Sequence, residues 1–292
     1  MQRSRLFRKT AAAAFGQFFA RPASVLELDL PLLARAVERG DLAWPSRLGP
    51  WVRGRDVLDV GCGRNLQAIG FRAAGARSYT GLDPTLDLDS TLFKDSRTRW
   101  SQRTYGGISP RALMARVPRL RYAVATVAGF AAAEPGQFDV LVMHNVTEHL
   151  MAIGDEFPRF AALLRPGGRI VFRHPNFYCW HGHHLPPRTV GEIIPGGAEQ
   201  SAVVDWAHIR RDPERHAWID RTQNRIGLGA LRALVARHFT VELWEETESP
   251  PEQGIDRLTP EILARYPEFT RRELAVKCAF IVARKAVALK QP

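Results

Sequence analysis

The stretch Val57–Asn65, which reads Val-Leu-Asp-Val-Gly-Cys-Gly-Arg-Asn, decides how this chain folds. In it an apolar run ends in an acidic residue, and a glycine-rich turn and a predicted helix follow. A second apolar run ends in Gly81-Leu82-Asp83, with Asp83 twenty residues after Gly63. Glycine lets the backbone approach a ligand closely, and a carboxylate accepts two hydrogen bonds from a ribose diol. The pattern therefore predicts a nucleoside site at the strand ends of an α/β sheet.

Two later segments extend this pattern. Phe138–His149 reads as a buried strand followed by a polar loop, and Leu163–Val171 places Arg-Pro-Gly-Gly before another apolar run. In order and spacing, the three segments resemble the motifs of class I S-adenosylmethionine (SAM) methyltransferases. The resemblance covers residues 55–175. It implies an α/β fold with a Rossmann-like, seven-stranded, mostly parallel sheet, helices on both faces, and a lid inserted after strand five.

Apolar periodicity and turn residues set the expected element boundaries. A helix capped by Asn65 is expected to run to Ala74, and a second helix to span 148–164. An N-terminal helical segment at 1–50 would precede a methyltransferase domain at 51–292, with the lid at 175–225. The strands are expected at 56–60, 78–82, 120–127, 137–144, 169–174, 240–245 and 274–282.

Composition limits the functional classes. The chain has 292 residues and a net charge of +11, but its basic residues are dispersed, which favours a small-molecule substrate over nucleic acid. The basic start of the chain favours an amphipathic helix over a cleaved signal peptide. Three widely spaced cysteines form neither a disulfide framework nor a zinc motif, and no apolar run reaches membrane-spanning length. A cytoplasmic location is therefore expected, and the oligomeric state stays open.

The family resemblance implies SAM as the cofactor and assigns residues to it. Asp59 with the Gly61–Gly63 backbone would hold the amino acid end, and Asp83 the ribose; alternatively, each carboxylate serves only its local turn. Asn145 would contact the methionine portion, or cap a helix in an Asn-x-x-Glu capping box, or do both. Two departures from the family pattern are Asn65 in place of a third glycine and the lack of an acidic residue at 126–130. The adenine would lie against Leu82, Val127 and Ala128.

A histidine-rich loop follows the fifth predicted strand, at the carboxyl end of the sheet. His183 or His184 is the expected general base, with His174 third, because imidazole titrates near neutral pH; the alternative is a loop braced by its own histidines. His149 is expected to be structural. No metal is expected, since His181, His183 and His184 with Asp205 and His208 match no standard zinc spacing. The accompanying aromatic residues would bind a flat substrate or form a small core; they are Phe177, Tyr178, Trp180, Trp206 and Trp218.

These observations predict methyl transfer from SAM to a small acceptor, most simply O-methylation of a saccharide or another polyhydroxylated metabolite. An RNA methyltransferase and a non-catalytic SAM-binding protein are the alternatives. A nicotinamide dehydrogenase is disfavoured because Leu66 stands where its fingerprint requires glycine. The segment His144–Thr147 offers neither the Asn-Pro-Pro-Tyr pattern of base-amine methylation nor the cysteine needed for pyrimidine carbon 5.

Overall fold

The structure is a computed structural model. It describes residues 30–38, 40–63, 67–94, 102–104, 108–210 and 213–286. The predictions for residues 1–29, Asn65 and Leu66 lie outside these ranges. The chain divides into two compact units. Of the described residues, the first unit contains those up to 143 and those at 162–169, and the second contains those at 144–161 and those from 170 to 286.

Helices alternate with strands along most of the chain. None of the helices within the described ranges is long and apolar enough to cross a membrane. Short 3-10 turns also occur, among them Thr147–His149 and Val204–Ile209. The helices are α1 Leu30–Glu38, α2 Ala43–Arg47, α3 Gly49–Val52, α4 Gln67–Ala73, α5 Pro110–Arg116, α6 Val127–Ala133, α7 Ile153–Leu163, α8 Ala198–Ser201, α9 Pro213–Thr222, α10 Leu228–His238, α11 Pro260–Arg265 and α12 Arg271–Ala275.

Seven strands form one sheet in the order β5-β2-β1-β6-β7-β9-β8. β1 pairs in parallel with both β2 and β6, β2 pairs in parallel with β5, and β8 and β9 form an antiparallel hairpin. This confirms the predicted Rossmann-like, mostly parallel sheet. The strands of this sheet are β1 Asp56–Val60, β2 Ser78–Leu82, β5 Leu120–Ala123, β6 Phe138–His144, β7 Leu164–Pro175, β8 Phe239–Glu248 and β9 Val276–Lys285; β3 Leu92–Lys94 and β4 Gln102–Thr104 pair separately.

β1 and β2 have the predicted bounds because residues within and next to each strand set those bounds. Val57, Leu58 and Val60 are buried, so the continuous apolar run suits a strand covered on both faces. The helix between the two strands, α4, ends before Gly75, whose φ of +92° is the left-handed conformation that terminates helices. The glycine signal therefore fixed the end of this helix correctly.

Three element predictions were wrong, each for a local reason. The strand predicted to reach Val127 ends at Ala123, because the Thr126 side chain accepts the Gly129 N–H and begins α6. The helix predicted from 148 is a 3-10 turn at 147–149, and α7 begins only at Ile153. β7 includes the predicted Pro-Gly-Gly turn, in which Gly167 has a φ of +73°.

Ion pairs join the starts of two strands in the first unit. The Arg165 guanidinium lies 2.9 Å from Asp56 Oδ2 and 2.9 Å from Asp139 Oδ1. Arg77 contacts the same two carboxylates, and the Arg77 side chain holds the pKa of Asp56 well below its usual range. Arg165 belongs to the Arg-Pro-Gly-Gly turn motif, and it therefore has a structural role at the N-terminal ends of β1 and β6.

Candidate functional site

The turn after β1, in the first unit, is hydrogen-bonded to the end of β2. Gly61 donates its N–H to the Leu82 carbonyl at 2.8 Å, and Gly63 donates its N–H to Asp83 Oδ2 at 3.2 Å. Both glycines have positive φ, +68° for Gly61 and +54° for Gly63. Since L side chains rarely adopt this conformation, glycine is a backbone requirement at both positions.

Gly81, in β2, is required for a different reason. A Cβ built on Gly81 would lie 2.6 Å from the Tyr122 ring and 2.7 Å from Cys62 Sγ. Residue 81 pairs with Asp59 across the two parallel strands. The glycine thus lets the aromatic ring and the glycine-rich turn pack closely against the strand that precedes Asp83.

Asp59 is buried at the end of β1. Its Oδ2 accepts a hydrogen bond from the Tyr79 hydroxyl at 2.8 Å. Burial raises the pKa of the Asp59 carboxyl to about 7, the Tyr79 hydrogen bond opposes that rise, and the charge of Asp83 adds to it. A carboxyl poised near neutrality at a strand end can exchange its proton for the positive charge of a ligand.

Asp83 is half-buried and organises the turn that follows β2. Oδ1 accepts the N–H and the hydroxyl of Thr85, each at 2.8 Å, while Oδ2 accepts the Gly63 N–H. The turn-forming role considered for Asp83 is therefore present. A carboxylate offers about four lone-pair positions, so this role and a bond to a ribose are compatible.

The three residues predicted around adenine differ in exposure. The Leu82 side chain is buried, and its carbonyl accepts the Gly61 N–H. Val127 and Ala128 form the first turn of α6 rather than the end of a strand; Val127 is buried and Ala128 is exposed. Of these three side chains, only that of Ala128 is exposed to a ligand.

Asn145, in the second unit, does not cap a helix. Its φ is +58°, its N–H donates to the Arg173 carbonyl at 3.3 Å, and its Oδ1 accepts from Arg173 Nη1 at 2.8 Å. The predicted capping box is wrong, because Val146 occupies the cap position of the 3-10 turn with no side-chain bond. A left-handed Asn held by an arginine is a locally strained feature of the kind that concentrates at functional sites.

The three predicted catalytic histidines lie in the second unit and differ sharply. His174 is buried, its Nδ1 lies 2.8 Å from Thr147 Oγ1, and burial lowers its pKa to about 4, opposed by a backbone hydrogen bond at Ile226. His183 is fully buried and its Nδ1 accepts the Leu185 N–H at 3.0 Å. His184 is half-buried, with a φ of +62°.

A second group of side chains comes together around His184. The ligand-type atoms of Glu148, His149 and His184 all lie within 4.8 Å of one another. His149 Nε2 is 3.7 Å from Glu148 Oε1, and the His149 and His184 ring centroids are 5.7 Å apart in an edge-to-face arrangement. Sequence reasoning assigned His149 a structural role and gave Glu148 only a place in the capping box.

The chain segment after α9 holds this group in place. The Thr222 carbonyl accepts from His149 Nδ1 at 2.7 Å, and the Asn224 N–H donates to the Glu148 carbonyl at 2.9 Å. The Asn224 side-chain amide also donates to the carbonyls of Thr147, at 2.6 Å, and Leu150, at 2.9 Å. Asn224 therefore encloses the 147–150 turn, a role that no local motif could have indicated.

The other metal set considered from the sequence is brought together only in part: the His183 ring centroid lies 5.1 Å from that of His208 and 5.5 Å from that of His181. Arg257 forms a two-pronged pair with the Asp205 carboxylate, and His208 is buried with Nε2 at 2.9 Å from the Phe177 carbonyl. Asp205 and His208 thus have structural partners within the second unit. Their surroundings match the alternative of a loop braced by its own side chains.

The aromatic residues of the insertion mainly form a core. Trp180 and Trp206 are fully buried, and the Trp206 indole donates to the Leu274 carbonyl at 3.3 Å. Fully buried rings offer no face to a sugar, so the substrate-platform interpretation fails for both. Phe177 is also buried, while Tyr178 and Trp218 are half-buried. The cluster around the two tryptophans contains Leu258, Ile262, Tyr266, Leu274 and Ala275.

Comparison with known proteins adds three findings. A family model described as a methyltransferase domain matches residues 32–225. A ubiquinone biosynthesis O-methyltransferase from Albidiferax ferrireducens is 33% identical over 135 residues, 46% of this chain and 46% of that protein. Aklanonic acid methyltransferase DauC from a Streptomyces species is 27% identical over 178 residues, 60% of this chain and 72% of that protein.

The match to the first of these relatives spans only about half of that protein's length. Among solved structures, a Bacillus halodurans protein described as a candidate methyltransferase superposes with a TM-score of 0.50 at 13% identity, covering 85% of this chain and 99% of that one. At that identity the likeness supports the fold alone. The family model, which matches more than half of the chain, carries the identification. The chain belongs to the methyltransferase-domain family.

Proposed function

We propose that this protein transfers the methyl group of SAM to a hydroxyl oxygen of a small molecule. The carrying observation is the pair of strand-end carboxylates, Asp59 and Asp83, on either side of a turn whose glycines have positive φ. This set suits a ligand that joins an amino acid to a ribose. Two relatives are named for methyl transfer in ubiquinone biosynthesis and to aklanonic acid, which favours a small acceptor.

In this proposal each residue of the cofactor set has one task. Asp59, ionised, accepts the ammonium group of the amino acid end, and the Gly61–Gly63 backbone bonds its carboxylate. Asp83 accepts the ribose hydroxyls with the lone pairs left by Thr85 and Gly63. Leu82, Val127 and Ala128 lie beside the adenine, and Asn145 contacts the methionine portion. The bound cofactor supplies an electrophilic methyl group on sulfur, and the protein aligns an oxygen with it.

Among the three predicted bases, we assign the role to His184. His174 and His183 are buried, and each has Nδ1 in a hydrogen bond, whereas His184 is partly accessible. A general base must come within hydrogen-bond distance of the proton that it removes. A buried imidazole that is already hydrogen-bonded to its neighbours does not reach a substrate proton. His174 and His183 would then support the loop that carries His184.

The acceptor we favour is a phenol-type hydroxyl rather than a saccharide. A phenol has a pKa of about 10, within reach of a histidine, whereas water, and by analogy an aliphatic hydroxyl, titrates near about 15.7. The saccharide prediction relied in part on an aromatic platform, and the two largest rings of that platform are buried. Small saccharides therefore enter the test as the competing acceptor class.

RNA is the second competing acceptor, because one relative is a tRNA U34 carboxymethyltransferase from Methylococcus capsulatus and the net charge is +11. RNA binding by dispersed basic residues would weaken steeply with added salt. Catalysis without RNA and with little salt dependence would favour the small acceptor. A protein that binds cofactor and transfers no methyl group to any class would support the non-catalytic alternative.

The test measures transfer of labelled methyl from SAM to hydroxylated aromatic compounds, saccharides and RNA, with S-adenosylhomocysteine binding by calorimetry beside it. Asp83→Asn keeps the Asx turn but removes the charge, so we expect about 10- to 100-fold weaker cofactor binding. Asp87→Asn is the matched control, since Asp87 forms a similar exposed turn through the Asp89 N–H. Labelling of saccharide or RNA alone, or equal binding by both variants, would overturn the proposal.

A further inference from the structure

We propose that Glu148, His149 and His184 bind a divalent transition-metal ion, with Zn²⁺ as the reference ion. One carboxylate oxygen and two imidazole nitrogens converge, all within 4.8 Å of one another. Donors on a single zinc ion lie about 2.0–2.2 Å from it. Small rotations of the three side chains are therefore enough to bring the donors to coordination distance.

The protonation of His149 suits it to metal binding. Its Nδ1 is 2.7 Å from the Thr222 carbonyl, which only accepts, so Nδ1 carries the proton. In the neutral ring the lone pair is then on Nε2, the atom that lies 3.7 Å from Glu148 Oε1. A ligating histidine that donates its other N–H to a carbonyl is the usual arrangement in protein metal sites, because it fixes both tautomer and ring orientation.

The same surroundings hold Glu148 in place. The Glu148 side chain is 4% exposed, whereas that of His149 is 41% exposed. The group therefore has one buried donor, and solvent reaches it from the His149 side. Buried carboxylates are stabilised by positive partners or by metal ions. Asn224 binds the main chain on both sides of Glu148, through the carbonyls of Thr147 and Leu150. The 147–150 turn is thus rigid before any ion arrives.

His184 adds a third, half-buried donor. Its φ of +62° is costly for a side chain with a Cβ, and such strain persists where the surroundings impose it. This backbone conformation places its ring beside His149. The donor set of two nitrogens and one oxygen favours Zn²⁺ and its first-row neighbours over Mg²⁺ and Ca²⁺, which prefer oxygen ligands only.

Three protein ligands leave at least one coordination position for water or a substrate oxygen. Through that position the ion would lower the pKa of a bound hydroxyl, a consequence that rests on the proposed O-methylation. The acceptor O–H proton would leave to solvent as the O–CH₃ bond forms and the S–CH₃ bond breaks. His184 would then act as a metal ligand instead of as the general base. Metal binding itself does not depend on the proposed function.

The experiment titrates Zn²⁺ into chelator-treated full-length protein by calorimetry and records the visible spectrum after Co²⁺ substitution. We expect one ion per chain. His184→Asn is the main variant, because asparagine tolerates positive φ while losing the imidazole. It should weaken Zn²⁺ binding at least tenfold, as should Glu148→Gln, and Asn224→Ala should weaken it about tenfold through the turn. His238→Gln, a histidine outside the group, is the matched control and should bind normally.

Two results would overturn the metal proposal: no stoichiometric ion in the unmodified protein, or equal binding by His184→Asn and the control. Should Glu148→Gln fail to fold, as judged by its melting curve, His184→Asn decides the question. Binding of Zn²⁺ without methyl transfer to any hydroxyl compound would contradict the proposed function and leave the metal site standing. Methyl transfer that persists in chelator with no ion bound would contradict the metal site and leave the proposed function standing.

Discussion

The strand-end turn of the first unit and the histidine group of the second are built in different ways. In the turn, Asp59 meets Tyr79 on the adjacent strand and Gly63 meets Asp83 just after that strand, both pairs twenty residues apart. In the histidine group, His149 meets Thr222, 73 residues away, and Asn224 meets Thr147 across 77 residues. A short motif can encode the first arrangement, whereas the second needs the fold to bring distant segments together.

The substitution with the largest expected effect tests whether the aromatic residues that follow β7 form a core. Trp180→Ala should destabilise the protein by about 3–5 kcal/mol, because Trp180 is fully buried and its removal leaves a cavity. Thermal or denaturant unfolding measures the loss, and Trp218→Ala, at a half-buried ring, should cost less. A stable Trp180→Ala protein with only a raised KM for acceptor would restore the substrate-platform interpretation.

A pair of glycine substitutions compares the two regions directly. A Cβ on Gly182, between His181 and His183, would lie 1.8 Å from the Phe177 carbonyl oxygen, whereas one on Gly81 meets side-chain atoms at 2.6 Å and 2.7 Å. Because a carbonyl moves less readily than a side chain, Gly182→Ala should lose about 3 kcal/mol or more of stability and Gly81→Ala about 1–3 kcal/mol. Unfolding curves check the order, and the reverse order would contradict the packing described for the histidine loop.

The pH dependence of stability sharpens the role of Asp59. Its folded pKa of about 7 lies above the usual value near 3.8, so the cofactor-free protein holds this proton more tightly than the unfolded chain. The carboxyl therefore contributes stability at low pH that is lost as the pH rises from about 4 to 7. Compared with Asp59→Asn, the unmodified protein should lose relative stability across that window.

Cofactor binding should have the opposite pH dependence. A ligand ammonium group prefers ionised Asp59, so S-adenosylhomocysteine binding should weaken by up to about tenfold for each pH unit below 7. Asp59→Asn should show weaker binding with a flat profile over the same range. Calorimetry between pH 5.5 and 8 measures both; parallel profiles for the two proteins would show that Asp59 does not face the amino acid end.

The glycine-rich turn of the first unit and the two strands beside it were largely predictable because their determinants are short. β1 and β2 have their predicted bounds, and the family resemblance followed from three local segments. A seven-stranded, mostly parallel sheet was implied by that resemblance and is confirmed. Misplaced boundaries, such as Val127 and Glu148, occur where a side-chain cap or a 3-10 turn ended an element that apolar periodicity would have continued.

The sequence alone determined that a glycine-bounded turn follows a buried strand, that a carboxylate ends the next strand, and hence that this chain belongs to the methyltransferase-domain family. These features depend on backbone conformations that glycine, proline and apolar runs impose within a few residues. Only the tertiary structure decided which histidines are buried, that Glu148 and His149 meet His184, and that Asn224 holds their turn. Burial and long-range hydrogen bonds determine a histidine's accessibility and tautomer. Both depend on residues that are distant in the sequence, so the residues next to a histidine do not predict them.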